Sequence, residues 1–403
     1  MVARIDGPSA GFINPAGLAG LAHPSVSGTV NVVDYTRVAA RTATGTAYAD
    51  DIQLKANLVG FANILDEDSG GWALTLASPT GWSSGLKVRT DTANGTRSDD
   101  GRSSLELTCL GLAWGGHVSP HCSLGVAFEG WLVDYRLDTG TSASDTTSVL
   151  TATYTESGRQ MALRLAIGSQ WDVGDWHFGA MLRTPGLRLQ GQGSISGSST
   201  SSDGTTTVHD QVSDEGTGFI VPLPWQLVLG ASWFPPTIPG LEIETDLAVH
   251  TGSGNAEVFA AAHRSQTTVT SVGISTVDTI LPSRDLDLQP VFNPRLGLRY
   301  RFPNLFLERI VFAHLGGYIE HTPVERSDVF SRLDLLGGTT GLSFEKGPML
   351  VTIALAYVTS GTLQDAIGFV SSPASGLSPE LDDPDATYAF RTFSLSLGSS
   401  YRF

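Results

Sequence analysis

The sequence predicts an all-β fold, a transmembrane antiparallel β-barrel of about fourteen strands behind a short N-terminal plug segment. Three observations predict it. Apolar residues alternate with small or polar ones along most of the chain, the pattern of strands with one face in oil. Connections between the alternating stretches are short and long by turns, as they are when one rim faces the periplasm and the other faces outside. Only 16% of the 403 residues are charged, against about 25% in an average soluble protein.

Residues 1–27 precede the first alternating stretch and are assigned to the plug, and 28–403 to the barrel. Met1 to Ala10 lacks the basic and apolar regions of a secretory signal, so an export leader is expected to be missing from this chain. The predicted strands are 28–40, 51–65, 71–89, 103–116, 121–137, 151–170 and 174–192, then 216–233, 240–261, 290–302, 307–321, 331–346, 348–360 and 388–403. Short turns are expected at 67–70, 116–120, 171–174, 234–240, 303–305 and 345–348. Long loops rich in Ser, Thr, Gly and Asp are expected at 89–102, 138–148, 190–215, 262–288 and 361–385.

Membrane helices are excluded, because no apolar run reaches the roughly 18 to 20 residues that a spanning helix needs. The uncharged part of 216–241 carries Pro222, Pro224, Pro235, Pro236 and Pro239, which a helix interior does not tolerate. A net charge of −16 repels a phosphate backbone, and no basic stripe marks a nucleic-acid surface.

Five of the eight Trp residues, Trp72, Trp114, Trp171, Trp176 and Trp233, lie in or beside a short turn, where an interfacial girdle forms. In the last strand, Phe393, Leu395, Leu397, Tyr401 and Phe403 share one face, with Thr392, Ser394, Ser396, Gly398 and Arg402 on the other. A chain that stops on an aromatic after such a strand resembles the C-terminal signal read by the barrel-assembly machinery, which makes the segment ending at Phe403 a partner site.

Asn14, Pro15 and Ala16 stand just before the first strand and resemble the hatch motif of the FadL-like long-chain fatty-acid and hydrocarbon transporters. Three further stretches resemble that family in order: Gly168 to Pro185, Leu223 to Asp246 and Phe292 to Pro323. The resemblance covers most of the chain and is strongest from about residue 160 onward. It implies a monomeric, plugged barrel of the bacterial outer membrane, surrounded by lipid and lipopolysaccharide, that takes up hydrophobic small molecules. Asn14, Pro15 and Ala16 would then lie in the plug. Fewer residues precede the motif than the family usually has, so contacts made by that longer segment are not carried over.

The family's third strand is kinked, opening the wall sideways. Here the third predicted strand carries Pro79 and Gly81. Proline removes a ladder donor, so a lateral opening is expected at Ser78, Pro79 and Gly81, with a plain rim bulge as the alternative.

Glu242, Glu244 and Asp246 share one face of the ninth strand, and Arg295, Arg299 and Arg301 share one face of the tenth. An Arg or Lys facing lipid costs roughly 2–4 kcal/mol at the midplane, so both rows point inward. They either satisfy one another across the strands or leave Arg295 or Arg299 to hold a carboxylate head group. Arg164 and Arg183 are second candidates for that role. Phe12, Leu18, Trp131 and Met181 are candidate lining for an apolar tail.

No cofactor or metal is called for. His117, His121 and Cys122 share a turn without a fourth zinc ligand, and Glu380, Asp382, Asp383 and Asp385 lack the Gly-centred spacing of a calcium loop. Parity places Cys109 and Cys122 so that a disulfide between them would need a bulge. The rival functions are a general porin, which would leave the lumen open, and a barrel enzyme such as a lipase, for which no Ser, His and Asp constellation is recognisable.

Overall fold

The computed structural model describes residues 2–3, 7–42, 45–66, 70–92, 95–306, 309–327, 334–360 and 387–403. Six long strands come first: β1 (Ser25–Thr42), β2 (Gly45–Asp66), β3 (Gly70–Thr92), β4 (Gly95–Ser119), β5 (Cys122–Asp145) and β6 (Val149–Val173). The next four positions in the wall are each built from pieces. β7 (Trp176–Arg183) is continued by β8 (Leu187–Ser202), and β9 (Thr206–Thr217) leads back to β10 (Gln226–Trp233). β11 (Leu241–His250) is followed by β12 (Gly254–Phe259) and β13 (Ala262–Thr270). β14 (Gly273–Leu281) is followed by β15 (Arg284–Leu288) and β16 (Val291–Phe306). Then come β17 (Arg309–Glu320), β18 (Val324–Ser327), β19 (Leu335–Lys346), β20 (Met349–Ser360) and β21 (Thr387–Arg402).

Antiparallel pairing closes these into a barrel of 14 wall positions. The last strand, β21, pairs with β1 from Ser25↔Arg402 to Arg41↔Thr387. Each wall position corresponds in order to one predicted strand, because the face in oil imposes period two. On β5, Val133, Tyr135 and Leu137 are buried inside while Leu124 and Phe128 are exposed on the outer face. On β21, Phe393, Leu397 and Tyr401 are exposed, and Thr392 and Ser394 are buried. Trp114, Trp171 and Trp176 are likewise exposed near the short-turn rim, and Trp176 stacks on Trp233 at 5.6 Å between ring centroids.

Two expectations are corrected. Four of the long loops are instead strand: 89–102, 138–148, 190–215 and 262–288 lie largely within β3–β4, β5–β6, β8–β9 and β13–β15. In these hairpins Ser, Thr, Gly and Asp occupy both faces, so the alternation that marks a strand fades while the ladder continues. The single strands expected at 216–233 and 240–261 are interrupted, and their middle portions fold into the lumen. There β12, β15 and β18 form a separate three-stranded sheet, and Phe219 bridges to Phe259. The long loop at 361–385, with its acidic residues, lies outside the described residues.

The lumen holds two packed layers. Toward the short-turn rim, a four-residue helix α1 (Ala10–Ile13) and a 3-10 helix (Pro15–Gly20) pack with Val2 against Ala62, Ala73, Ala113, Ala127, Ala166 and Ala248 of the wall. Toward the other rim, Tyr135, Tyr154, Phe219 and Phe259 pack with Val258, Leu286, Leu288 and Val324. Glu156 is wholly buried there and pairs with Arg284 at 2.7 Å. The wall itself begins at Ser25, a few residues ahead of position 28.

Candidate functional site

The Asn-Pro-Ala motif sits on glycine. Gly71, Gly115, Gly125 and Gly168 stand in one register row across β3, β4, β5 and β6. A Cβ at Gly115 or Gly125 would overlap the Pro15 backbone, and one at Gly168 would overlap the Asn14 side chain. Only glycine allows one backbone to approach another this closely. Asn14 is fully buried; its amide donates to the carbonyls of Val2 at 2.8 Å and Ser169 at 3.1 Å, and its Oδ1 accepts from the Ala16 N–H at 3.2 Å. Ala16 and Leu18 are buried in the same seat.

Directly above this seat, Phe12 projects from α1 toward Trp131, 6.2 Å between ring centroids. Cys109, Trp131 and Ala162 form a buried cluster with Phe12, Leu107 and Leu223 packed on it. Arg183 lies over the Phe12 ring at 4.7 Å. It donates from Nε to Glu129 at 2.8 Å, to the Gln226 side chain at 2.9 Å and to the Phe12 carbonyl. Glu129 also accepts from the Trp131 indole at 2.9 Å. Arg164 lies 5.7 Å from the Trp131 ring and donates to the carbonyls of Thr184 at 2.8 Å and Pro224 at 2.7 Å.

The electrostatics follow from that count. Arg164, Arg183 and Glu129 are all buried, and Glu129 is committed to Arg183. Among the described residues no carboxylate forms an ion pair with Arg164. Glu129 also stands opposite Arg164 in the register of β5 and β6, so two buried guanidiniums meet one buried carboxylate, and low dielectric makes the remaining positive charge felt strongly. An aromatic wall beside two guanidiniums that share one carboxylate can take an apolar body with one anionic end.

The other predicted residues are distributed as follows. Met181 packs in the plug layer rather than against Trp131, and Leu18 lies deeper, against Gly115. The acid and base rows do oppose one another: Glu242↔Arg299 and Asp246↔Arg295 are register partners, while Glu244 faces Gly297. Arg299 pairs with Glu242 at 3.5 Å and covers the Phe312 ring at 4.2 Å. Asp246 accepts the Val2 N–H at 3.2 Å, so the plug takes part of that row. Arg295 and Arg301 are exposed.

Ser78 and Pro79 fall at a register shift between Ala77 and Thr80, with Gly81 opposite Glu106 beyond it. Pairing of β2 with β3 stops at Leu58↔Ala77, although β2 continues against β1 and β3 against β4. A proline with no N–H to donate, set in a bulge, is the physical reason a ladder ends there. Cys109 and Cys122 are free, and His117 Nδ1 is hydrogen-bonded to Ser123 at 3.0 Å.

Sequence reasoning missed Glu129, Thr184, Leu223 and Pro224. Glu129 shares inward parity with Trp131 two residues on, a signal present in the alternation. The other three lie where the wall is interrupted, and no periodicity reports on them.

No protein-family model matches the chain, and no curated protein matches it. Solved structures do. A FadL homologue from Pseudomonas aeruginosa superposes with a TM-score of 0.60 at 12% identity, covering 99% of this chain and 94% of that one. The toluene transporter TodX of Pseudomonas putida gives 0.56 at 12% identity over 100% and 96%. The toluene transporter TbuX of Ralstonia pickettii gives 0.53 at 12% identity over 100% and 95%. Over its whole described length this chain therefore has the fold of the FadL homologue and of the toluene transporters.

Proposed function

We propose that this chain is an outer-membrane channel of the FadL-like kind, which carries hydrophobic small molecules inward without a cofactor and without chemistry on the substrate. The exposed belt of Phe128, Leu163, Ile167, Leu229 and Leu397 favours a bilayer around the wall, and the barrel fold favours the outer membrane. The segment ahead of Ser25 acts as the plug and the strands from β1 to β21 build the wall, in a monomer whose strand ending at Phe403 meets the assembly machinery. A seated plug argues against a water-filled porin.

One observation carries the substrate reading: the buried Arg164 beside Trp131, its guanidinium hydrogen-bonded to carbonyls while Glu129 pairs with Arg183. An amphipath such as a long-chain fatty acid places its carboxylate at Arg164, with Arg183 next to it, and its tail along the aromatic rings. Aromatic hydrocarbons use the same rings without the cation. Arg295 and Arg299 serve the lumen wall rather than the head group. The unpaired stretch of β2 and β3 above Ala77 then serves as the lateral exit, with Ser78, Pro79 and Gly81 at its lower edge.

The test is uptake of oleate and of toluene by cells that lack their own transporter. Arg164→Gln lowers oleate uptake by about tenfold, the scale of one lost charge-assisted hydrogen bond, and leaves toluene uptake near wild type. Equal loss of both would reject the head-group role. Replacing Pro79 by Val and Gly81 by Thr, which restores ladder-competent residues, slows both substrates; unchanged rates would reject the lateral exit.

A further inference from the structure

The outer wall carries a second feature, beyond the rim of the apolar belt. A cavity of about 1060 Å³ is lined by Lys55, Arg102, Arg136 and Arg159 together with Glu106 and Asp134. Its inner side is sealed, because Phe219 fills the space inside Gly158 and Phe259 fills the space inside Gly193. The cavity therefore opens outward. Parity agrees: Arg136 and Asp134 alternate with the buried Val133, Tyr135 and Leu137, and Arg102 and Glu106 share the face of the exposed Leu110 and Leu112.

The three arginines form a row. Arg102 is opposite Asp138, two residues beyond Arg136, and Arg136 is opposite Ser157, two residues beyond Arg159. From β4 to β6 the row thus steps toward the short-turn rim by two residues per strand. The short turns step the same way. The glycine row Gly71–Gly115–Gly125–Gly168 adjoins the end of β3 at Gly70 but lies well inside β6, which runs on to Val173. With strands tilted by roughly 35–45°, such a descent keeps the arginines at similar heights in the membrane. Just below them on the outer face stand Leu110, Met161 and Leu163, all exposed.

The charge is out of keeping with the chain. Among the described residues of the lining four cations face two anions, whereas the protein as a whole carries −16. Arg136 pairs with Asp138 and Arg159 with Asp134, both at 2.6 Å, but the two arginine side chains stay 66% and 71% exposed. Exposed pairs of this kind are weak. A guanidinium gains more from a phosphate, which it meets with two parallel donors.

We propose that this groove binds the phosphate groups of lipid A in the outer leaflet, with Arg102, Arg136 and Arg159 as the donor row and the acyl chains lying on Leu110, Met161 and Leu163. The proposal rests on the outer-membrane reading above. It makes the wall beside the unpaired stretch of β2 and β3 a lipid-ordered surface rather than a bare one.

The experiment uses the folded full-length barrel in detergent micelles with bisphosphorylated lipid A as probe, read by native mass spectrometry. Enzymatically dephosphorylated lipid A, phosphatidylglycerol and inorganic phosphate serve as comparison probes. The combined variant Arg102→Gln, Arg136→Gln, Arg159→Gln is expected to lose binding at least tenfold, and replacement of all three by Lys to recover part of it. Wild type should hold the dephosphorylated lipid no better than the triple Gln variant does. Equal binding by wild type and variant overturns the proposal, as does full competition by millimolar inorganic phosphate or equal retention of phosphatidylglycerol. Because the side chains stand in solvent, both variants should keep the heat-modifiable mobility of a folded barrel. Fractionation of the producing cells scores the membrane location separately, so failure there and failure of the groove are distinguishable.

Discussion

The two packed layers of the lumen are built on opposite principles. In the lower one, the plug lies against a wall row of Gly115, Gly125, Gly168, Ala113, Ala127 and Ala166, none of which carries a side chain larger than a methyl group. In the upper one, large side chains fill the same width, with Tyr135 stacked on Phe219 at 6.1 Å and Phe219 tilted against Phe259 at 5.0 Å. The difference teaches how one barrel radius serves two purposes. A wall stripped to glycine and alanine makes room for a separate chain segment, whereas a wall of aromatics meets segments that branch from its own strands. The first layer is fitted by shape and the second is held by side-chain burial and the Glu156–Arg284 ion pair.

That contrast can be broken most severely in the upper layer. Removing Glu156 alone breaks its buried pair with Arg284, and breaking such a pair on one side costs about 3–5 kcal/mol. The double replacement Glu156→Leu with Arg284→Met should recover most of that loss, since a buried pair is often matched by apolar residues of similar volume. Urea unfolding of the two variants in parallel checks this. If the single variant is as stable as wild type, the pair does not tie the inner sheet to the wall.

Gly125→Ala probes the lower layer. Its new methyl group meets the Pro15 backbone, which has no rotamer to yield, and overpacking of this kind costs about 1–3 kcal/mol. Relief comes from lifting the plug, so the sharper readout is pore conductance in planar bilayers: brief openings should appear in the variant and be rare in wild type. Gly130→Ala, on the outer-facing parity of the same strand, has space and serves as the control. Identical traces from all three proteins would mean that the plug is not seated by the glycine row.

The smallest expected effect lies at a hairpin tip, beyond both layers. Asp145 accepts hydrogen bonds from the Thr147 and Ser148 backbone N–H groups at 2.7 and 2.6 Å, which hold its carboxyl down at about 2. A depressed carboxyl contributes fully above the ordinary carboxylate range and loses its contribution as pH falls through the folded value. Amide exchange at Thr147 should therefore stay protected at pH 4 and become faster only toward pH 2. Asp145→Asn should remove that pH dependence.

What could be read in the sequence depends on which face met oil. Strands such as β5 and β21 were legible because Phe128 and Leu397 must alternate with inward residues, and the position of every wall strand followed. The hairpins at the long-loop rim were not, since Ser, Thr and Gly suit either face and leave no period. The lower site was partly legible: Asn14, Pro15 and Ala16 stood out by resemblance, and Trp131, Arg164 and Arg183 by inward parity. Glu129 belonged to the same parity, but which strand's charge it would meet is a matter of register across Arg183 and not of sequence. The inner sheet of β12, β15 and β18 was hidden because its short apolar runs are indistinguishable from wall strand until their partners are known.

The seam between β1 and β21 has a temporal consequence. Sheet closure joins Ser25 to Arg402, residues from near opposite ends of the polypeptide, so no local hairpin can complete the cylinder and the final ladder forms only after all the others exist. Contacts this distant in chain order make for slow folding, and until that moment two raw strand edges invite association with other chains. A barrel sealed in this way stays open to mispairing until its seam shuts.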